Sequence, residues 1–431
     1  MRKMKDSGVE WIGEIPADWN VGKTLYALSM PITDGPHETP ELFEEGIPFV
    51  SAEAVSCGNG HIDFEHIRGF ISQDFYDECC KKYIPEMHDI YMIKSGATTG
   101  KVAKVETEKL FTIWSPLAVF RTNPKKCFYE YLYYFIQSDA YQKQIENKWT
   151  YGTQQNIGMR TLEKLMICFP SIDQQMNIAD YLDVKCSKID EIIEKQLSII
   201  EKLKEYKLSI ITEAVTKGIN PDVELKDSTI DMCEQIPVHW GISQNRYLFS
   251  LRDEKNYKPL EEVRLLSLYT DLGVFPHGEQ EERGNKVVKA EGYKVVYEND
   301  IVVNIILAWM GAIGRSAYDG VTSPAYDIYK PNENVCSRYY HYLYRTKPFS
   351  AECYKYGRGI MAMRWRTYSS EFKSIKVPVP PYIEQCQIAD YLDSKCEMLD
   401  KTIADRNKAI DILQEYKKSL IYEVVTGKKE V

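Results

Sequence analysis

Apolar residues recur along this chain with two distinct periods. Over residues 174–216, and again 210 positions later, they return every three or four residues, the interval of one helix face. The first stretch places Ile189, Ile193, Ile200, Leu203, Tyr206, Ile210 and Ala214 on one line. The second places Leu399, Ile403, Ile410, Leu413, Tyr416, Leu420 and Val424 at the same phase. So narrow a seam fits a coiled-coil partner better than a broad globular core. Gln196 and Arg406 interrupt it at equivalent positions. They read either as a half-exposed edge or as a polar layer that fixes register.

The two stretches are copies. QMNIADYLDVKCS (residues 175–187) returns as QCQIADYLDSKCE (385–397), with an offset of 388 − 178 = 210. The offset holds through EYKLSIITEAVT (Glu205–Thr216) and EYKKSLIYEVVT (Glu415–Thr426). Upstream, KDSGVEWIGEIPADW (5–19) returns as KDSTIDMCEQIPVHW (226–240), now offset by 237 − 16 = 221. Each copy opens with Ile-Pro-x-x-Trp, runs through a variable part and closes in the helix. The second variable part is shorter by 221 − 210 = 11 residues. Gly218 fits the C-cap of the first helix, and Pro221 stops it from continuing.

Within the variable parts the pattern shortens. IPFVSAEAV, DIYMIK, LAVFR and DIVVNIILA read as short strands, β-branched and bounded by turn residues. FYEYLYYFIQS and YYHYLYRTKPF read as amphipathic helices. Met87–Ala103 parallels Glu298–Ala317, with Asp89-Ile90 matched to Asp300-Ile301 and Gly100-Lys101 to Gly314-Arg315; Ser115-Pro116 matches Ser323-Pro324. Each variable part is thus a mixed α+β domain of about 150 residues.

These lengths imply an arrangement. A helix from Gln174 to Thr216 spans roughly 65 Å at about 1.5 Å per residue. A domain of about 140 residues is only roughly 35–40 Å across. The second domain is too small to carry the chain back along the first helix, so the second helix is expected to run back antiparallel. The expected shape has two similar heads at opposite ends of a two-helix rod, related by a pseudo-two-fold axis. Such heads, with different loops, would read an asymmetric DNA site split into two half-sites about 10 bp apart.

Composition narrows the class. No apolar run is long enough to span a bilayer, and MRKMKDSGVEWIG lacks the apolar centre of a signal peptide. Eleven scattered cysteines without a Cys-x-x-Cys pair point to reduced thiols and a cytoplasmic location. Cys186 and Cys396 sit at the same place in the two helices and read as packing residues. A net charge of −9 argues against wrapping nucleic acid by bulk charge, though not against a local basic face.

Catalytic motifs do not emerge. Gly96-Ala-Thr-Thr-Gly100-Lys101 is one residue short of a phosphate loop, and Val102 stands where its Ser/Thr would be. It reads either as a tight turn offering Thr98, Thr99 and Lys101 to DNA or as a purely structural turn. Glu205-Tyr206-Lys207 has a nuclease-like spacing, but it lies on the helix and recurs at Glu415-Tyr416-Lys417, so a coil face is the simpler reading. The seven histidines show no metal-ligand spacing. The loops YGTQQNIGMR and YGRGIMAMRWR, ahead of Pro170 and Pro380, carry Gln154, Gln155, Asn156 and Arg160, and Arg358, Arg364 and Arg366. Those side chains make bidentate contacts with adenine or guanine edges, and Arg315 beside the second glycine turn offers the same.

With the opening KDSGVEWIGEIPADW, the Asp-Ile … Gly-x-x-x-Gly-Lys middle at Asp89 and Gly96–Lys101, FPSIDQQMNIADYL, and the repeat of each, the chain resembles a type I restriction–modification specificity subunit over essentially its full length. In the second copy Gly-x-x-x-Gly becomes Met310-Gly311-Ala312-Ile313-Gly314, and Gly13 becomes Glu234. The resemblance implies an α+β chain with target-recognition domains at 1–170 and 218–380 and coiled-coil spacer helices at 171–217 and 381–431. It implies a non-catalytic reader of double-stranded DNA assembled with two methyltransferase subunits and with restriction subunits. S-adenosylmethionine, ATP and Mg would belong to those partners. The rival reading is a coiled-coil scaffold whose heads bind proteins.

Overall fold

The computed structural model describes residues 2–151, 155–270, 272–278, 289–359 and 365–431. Two long helices dominate the secondary structure, Ile172–Lys217 and Tyr382–Val425. The first begins in a capping box. Ser171 Oγ accepts from Gln174 N (3.3 Å), and Gln174 Oε1 accepts from Ser171 N (3.2 Å). It ends at Gly218, whose φ of +83° is the left-handed conformation expected of a C-cap glycine. No described helix is long and apolar enough to cross a membrane.

The chain divides into two compact units, residues 1–196 with 407–431, and residues 197–406. Each therefore holds a segment of both long helices, and in each the two segments run antiparallel. In the first unit Tyr131 Oη lies 3.0 Å from Cys168 O and 3.2 Å from Val425 O, while Lys417 pairs with Asp190 at 2.6 Å. Position rises along one helix as it falls along the other. In the second unit Lys207 pairs with Asp400 at 2.6 Å, and a Cβ on Gly218 would lie 3.4 Å from Glu384. The two ion pairs are copies of one another, since 190 + 210 = 400 and 207 + 210 = 417.

The seam differs by one residue from its sequence reading. Tyr206 and Tyr416 are more than half exposed, at 58% and 52%. Lys207 and Lys417 take the half-buried positions instead. The turned-in residues become Ile189, Ile193, Gln196, Ile200, Leu203, Lys207, Ile210 and Ala214, with strict alternation of four and three. The lysine stems lie along the seam while their ammonium groups reach the carboxylates. Cys186 and Cys396 are buried packing residues.

Each unit carries a four-stranded antiparallel sheet of the same order. In the first it runs Thr33–Asp34, Leu117–Phe120, Ile90–Ile93, Val102–Lys104. In the second it runs Phe249–Arg252, Tyr326–Pro331, Ile301–Asn304, Ile313–Arg315. The tyrosine-rich segments form helices, Tyr129–Gln137 and Ser337–Tyr344, buried against these sheets. Two strand readings were too long. IPFVSAEAV is a strand only over Ile47–Val50; Ala52–Cys57 is a helix, its helix-favouring Ala-Glu-Ala following Ser51 at the N-cap. DIVVNIILA stops at Asn304, whose side-chain oxygen accepts from Ile306 N (3.0 Å) and Leu307 N (3.3 Å) and turns the chain.

The repeated Asp-Ile is structural. Asp89 is fully buried and accepts from Arg121 Nε and Nη2, both at 2.8 Å, and from Glu86 N at 2.9 Å. Asp300 accepts from Arg252 Nε (2.8 Å) and Nη2 (3.1 Å), and from Tyr297 N (2.9 Å). Arg121 directly follows the Leu117–Phe120 strand whereas Arg252 closes the Phe249–Arg252 strand, so the partner is shared chemistry rather than a shared position. Asp89→Ala takes the buried carboxylate from Arg121, leaving it only the more exposed Glu86, and is expected to destabilise the first unit by about 3 kcal/mol in chemical denaturation. Asp190→Ala, on the half-exposed helix pair, is expected to change it by less than about 1 kcal/mol.

Candidate nucleic-acid interface

In the first unit the glycine turn joins two sheet strands. Gly96 and Gly100 hold φ of +101° and +95°, conformations that side chains with a Cβ rarely adopt. Thr99 is spent within the turn, its N (3.2 Å) and Oγ1 (2.7 Å) both donating to Gly96 O. Thr98 is half-buried, and its carbonyl accepts from Lys101 N at 3.2 Å. Lys101 is exposed, with Nζ 3.4 Å from Ser56 O at the end of a short helix. Gln142 clamps the turn, donating to Gly100 O at 3.0 Å and to Ile136 O at 2.7 Å. A Cβ on Gly100 would stand 2.3 Å from Gln142 Oε1, so the glycine also makes room for the clamp.

The second candidate loop docks on this turn. Thr150–Tyr151 and Gln155–Asn156 pair as an antiparallel hairpin. Gly96 N donates to Gln155 O (3.0 Å), Ile157 N donates to Lys94 O (2.9 Å), and Ser95 bridges to Asn156. The structure thus brings Thr98, Thr99, Lys101, Gln155 and Asn156 to one end of the sheet, although more than fifty residues separate the loops. Arg160 stands exposed on the adjoining helix Met159–Leu162. Gln154 lies outside the described residues.

The second unit repeats the hairpin without repeating its side chains. Arg358 and Arg366 bridge through backbone bonds of 2.9 and 3.0 Å, and Thr367 N donates to Ile305 O at 2.8 Å. That bond corresponds to Ile157 N to Lys94 O, which puts Arg366 where the first head has Asn156 (156 + 210 = 366). Arg358 pairs with buried Glu371 at 2.9 Å while its own side chain remains mostly exposed. Trp365 stacks on Tyr354, ring centroids 4.9 Å apart, and donates to Tyr354 O at 2.9 Å. Arg364 lies outside the described residues.

Arg315 belongs elsewhere. Register equates Ile90 opposite Lys104 with Ile301 opposite Arg315. The counterpart of Arg315 is therefore Lys104, not Lys101, and Gly311 (φ +86°), not Gly314, corresponds to Gly100. Ala312 takes the place of Lys101, since Asn304 N bonds Ala312 O (3.1 Å) as Ile93 N bonds Lys101 O (2.9 Å). The sequence match slipped by three residues because both segments end in Gly followed by a basic residue. Arg315 is engaged with Asn299 Oδ1 (2.8 Å) and Glu298 Oε1 (3.4 Å). Lys104 is likewise enclosed: burial alone would lower its pKa, but Glu106, Glu130 and Asp183 raise it.

Sequence reasoning also missed two supports of the site, the Gln142 clamp and Lys94, which is mostly buried 3.3 Å from Asp34. No spacing announces either, because their partners lie 42 and 60 positions away (142 − 100; 94 − 34). Among the described residues no three His, Cys, Asp or Glu side chains form a group suited to a metal ion.

Comparison with known proteins adds one family match, two relatives and two solved structures. The family model described as the type I restriction modification DNA specificity domain matches residues 36–202. A putative type I restriction enzyme MjaX specificity subunit of Methanocaldococcus jannaschii is 27% identical over 438 residues, covering 97% of this chain and 96% of the relative. The MjaVIII specificity subunit of the same organism is 21% identical over 391 residues, covering 86% of each. A solved structure described as showing complex assembly and conformational transition of the type I R-M system matches with a TM-score of 0.70 at 12% identity, covering 96% of this chain and 99% of its own. The HsdS subunit from Thermoanaerobacter tengcongensis matches with a TM-score of 0.53 at 12% identity, covering 96% and 98%.

One histidine beside the second sheet gives a pH-dependent readout of this geometry. His341 accepts from Arg315 N at Nδ1 (3.1 Å) and faces the Arg345 guanidinium at 3.2 Å. Burial first, then Arg345 and Arg315, holds it down to about 3. A depressed histidine contributes stability above its unfolded pKa of about 6.5, and this is lost as pH falls toward the folded value. The stability difference between the wild type and His341→Gln is therefore expected to narrow between pH 7 and pH 4 in thermal denaturation. A difference independent of pH would contradict the neutral, arginine-flanked imidazole.

Proposed function

Because this chain belongs to the type I restriction–modification specificity subunits, we propose that it reads an asymmetric, bipartite DNA site, one head per half-site, for a methyltransferase and restriction complex. The observation that carries this reading is the repeated hairpin. One backbone frame holds it at the same end of the same sheet in both heads, by bonds of 2.9 and 2.8 Å. At the matched position the side chains differ, Asn156 in the first head and Arg366 in the second. Asn pairs bidentately with adenine and Arg with guanine, so one scaffold offers two words. Thr98, Thr99, Lys101, Gln155 and Arg160 support the first head's contact, and Arg358 the second's.

The chain acts without chemistry of its own. In this reading two methyltransferase subunits join the assembly, and the restriction subunits are recruited to it. S-adenosylmethionine, ATP and Mg act in those partners. Helix positions support docking. Val184, Ile192 and Ile412 stand 54%, 43% and 69% exposed in the first unit, and Ile383 and Met398 72% and 54% in the second. Apolar side chains so open on long helices suit cover by partner helices. A net charge of −9 fits an assembly in which partners supply much of the phosphate attraction.

Methylome sequencing of a strain expressing the operon tests the reading. The expected result is a split motif that disappears when this gene is deleted. Asn156→Ala is expected to relax one half of the motif and Arg366→Ala the other, each by about 1–3 kcal/mol of discrimination. No motif in an expressing strain, together with partner capture that survives nuclease treatment, would instead favour the protein-binding scaffold.

A further inference from the structure

The first unit holds four described arginines, and one of them lies against an aromatic ring without a carboxylate partner. Arg2 is engaged by Asp18 at 2.9 Å, and Arg121 by Asp89 and Glu86. Arg160 stands exposed on its short helix. Arg68 is also exposed, but its guanidinium lies 3.9 Å from the centroid of the Trp114 ring. Among the described residues no carboxylate lies within ion-pair distance of it. Glu53, held down first by the Ser51 hydroxyl, feels its charge only more weakly.

Trp114 is itself fixed. Its other neighbour is Phe49, fully buried, with ring centroids 6.3 Å apart. Trp114 N donates to Val50 O at 2.9 Å, and Leu117 N donates to Trp114 O at 3.0 Å. The indole is thus a plate anchored in a small apolar core, with the guanidinium laid against it. Stacking fixes the plane of the arginine and removes rotamer freedom before any ligand arrives, and among the described residues no hydrogen bond engages its guanidinium.

The plate sits at the end of the sheet already described. Residues 114–116 form the turn before the Leu117–Phe120 strand, and Lys94 N donates to Pro116 O at 2.8 Å. Lys94 also accepts from Ile157 N, at the foot of the candidate hairpin. One run of backbone contacts therefore joins Arg68 and Trp114 to Gln155 and Asn156. Nothing in the sequence links Arg68 to this site, since 46 residues (114 − 68) separate it from its plate.

We propose that Arg68, stacked on Trp114, reads a guanine in the half-site of the first head, pairing bidentately with the O6 and N7 edge; this rests on the DNA-reading function proposed above. Trp114 is the positioning residue. The choice of a base over a phosphate follows from the stack. A phosphate contact is met as well by a mobile lysine, whereas a preset planar fork matches the two acceptors of one guanine.

The test is methylome sequencing of strains carrying the intact operon with wild-type chain, Arg68→Ala, Arg68→Lys or Trp114→Leu, with melting of each purified complex as the folding control. The expected result is loss of one G·C position from one half of the motif in both Arg68 variants. Methylation at sites with the original guanine should fall at least about tenfold relative to the wild type. The other half-motif should be unchanged and the melting temperature preserved. Trp114→Leu should weaken the same position without abolishing it. An unchanged motif in Arg68→Ala would overturn the inference while leaving the wider function standing. So would a uniform loss across all sequences that Arg68→Lys restores, since that marks a phosphate contact. Absence of any split motif with the wild-type chain would overturn the wider function and the inference with it.

Discussion

A helix of 46 residues ends in carbonyls that its own backbone leaves without donors, and burying such an end demands partners from elsewhere. Both long helices meet this constraint in the same way. Tyr339 Oη donates to Val215 O at 2.7 Å near the end of the first, and Tyr131 Oη stands 3.2 Å from Val425 O at the end of the second. The Ile-Pro-x-x-Trp motif then closes over the terminal glycine. A Cβ on Gly427 would meet Pro16 at 2.5 Å and Trp19 at 3.0 Å; one on Gly218 would meet Trp240 at 3.5 Å. Trp19 and Trp240 are both fully enclosed. The two tryptophans, far from any candidate site, seal each helix end into a head.

The helix starts are tethered with equal economy. Gln175 Oε1 accepts from Phe128 N (2.8 Å) while its Nε2 donates to Pro170 O (3.0 Å). Gln385 does the same with Cys336 N (2.9 Å) and Pro380 O (2.9 Å). One side chain thus fixes the entry of the helix and the start of the tyrosine-rich helix together. Because these bonds and the apolar clusters around them hold the frame, the loops at the far end of the sheet are released from structural duty. The Asp89 and Asp300 anchors make the same point. A buried carboxylate must be paired, and each head pairs it with an arginine from a different place in the sheet's chain order. The frame fixes the requirement and leaves open how it is met.

This division explains how an acidic chain can carry a reading surface for an acidic polymer. Several cations are held by carboxylates within the frame, as with Lys104, Lys207, Arg315 and Lys417. Lys101 and Arg68 are held by no carboxylate among the described residues and stand at one sheet end of the first head. Local geometry, not net charge, decides where an anion is met.

Periodicity and repetition determined the two helices, the glycine that ends the first, the tyrosine-rich helices and the pairing of Asp89 with Asp300, because each is set by residues within a few turns of one another or by literal copying. Tertiary structure decided the rest. It turned Lys207 rather than Tyr206 into the seam, since alternating steps of four and three carry the inward face from Leu203 to Lys207 and Ile210. It moved the match of Gly100 from Gly314 to Gly311, since strand register follows hydrogen bonds and not the look of a dipeptide. It also joined the glycine turn, the hairpin and the Arg68–Trp114 stack, which meet only across the sheet. Contacts between segments 40 to 60 residues apart leave no period in a sequence, so no reading of it alone places them together.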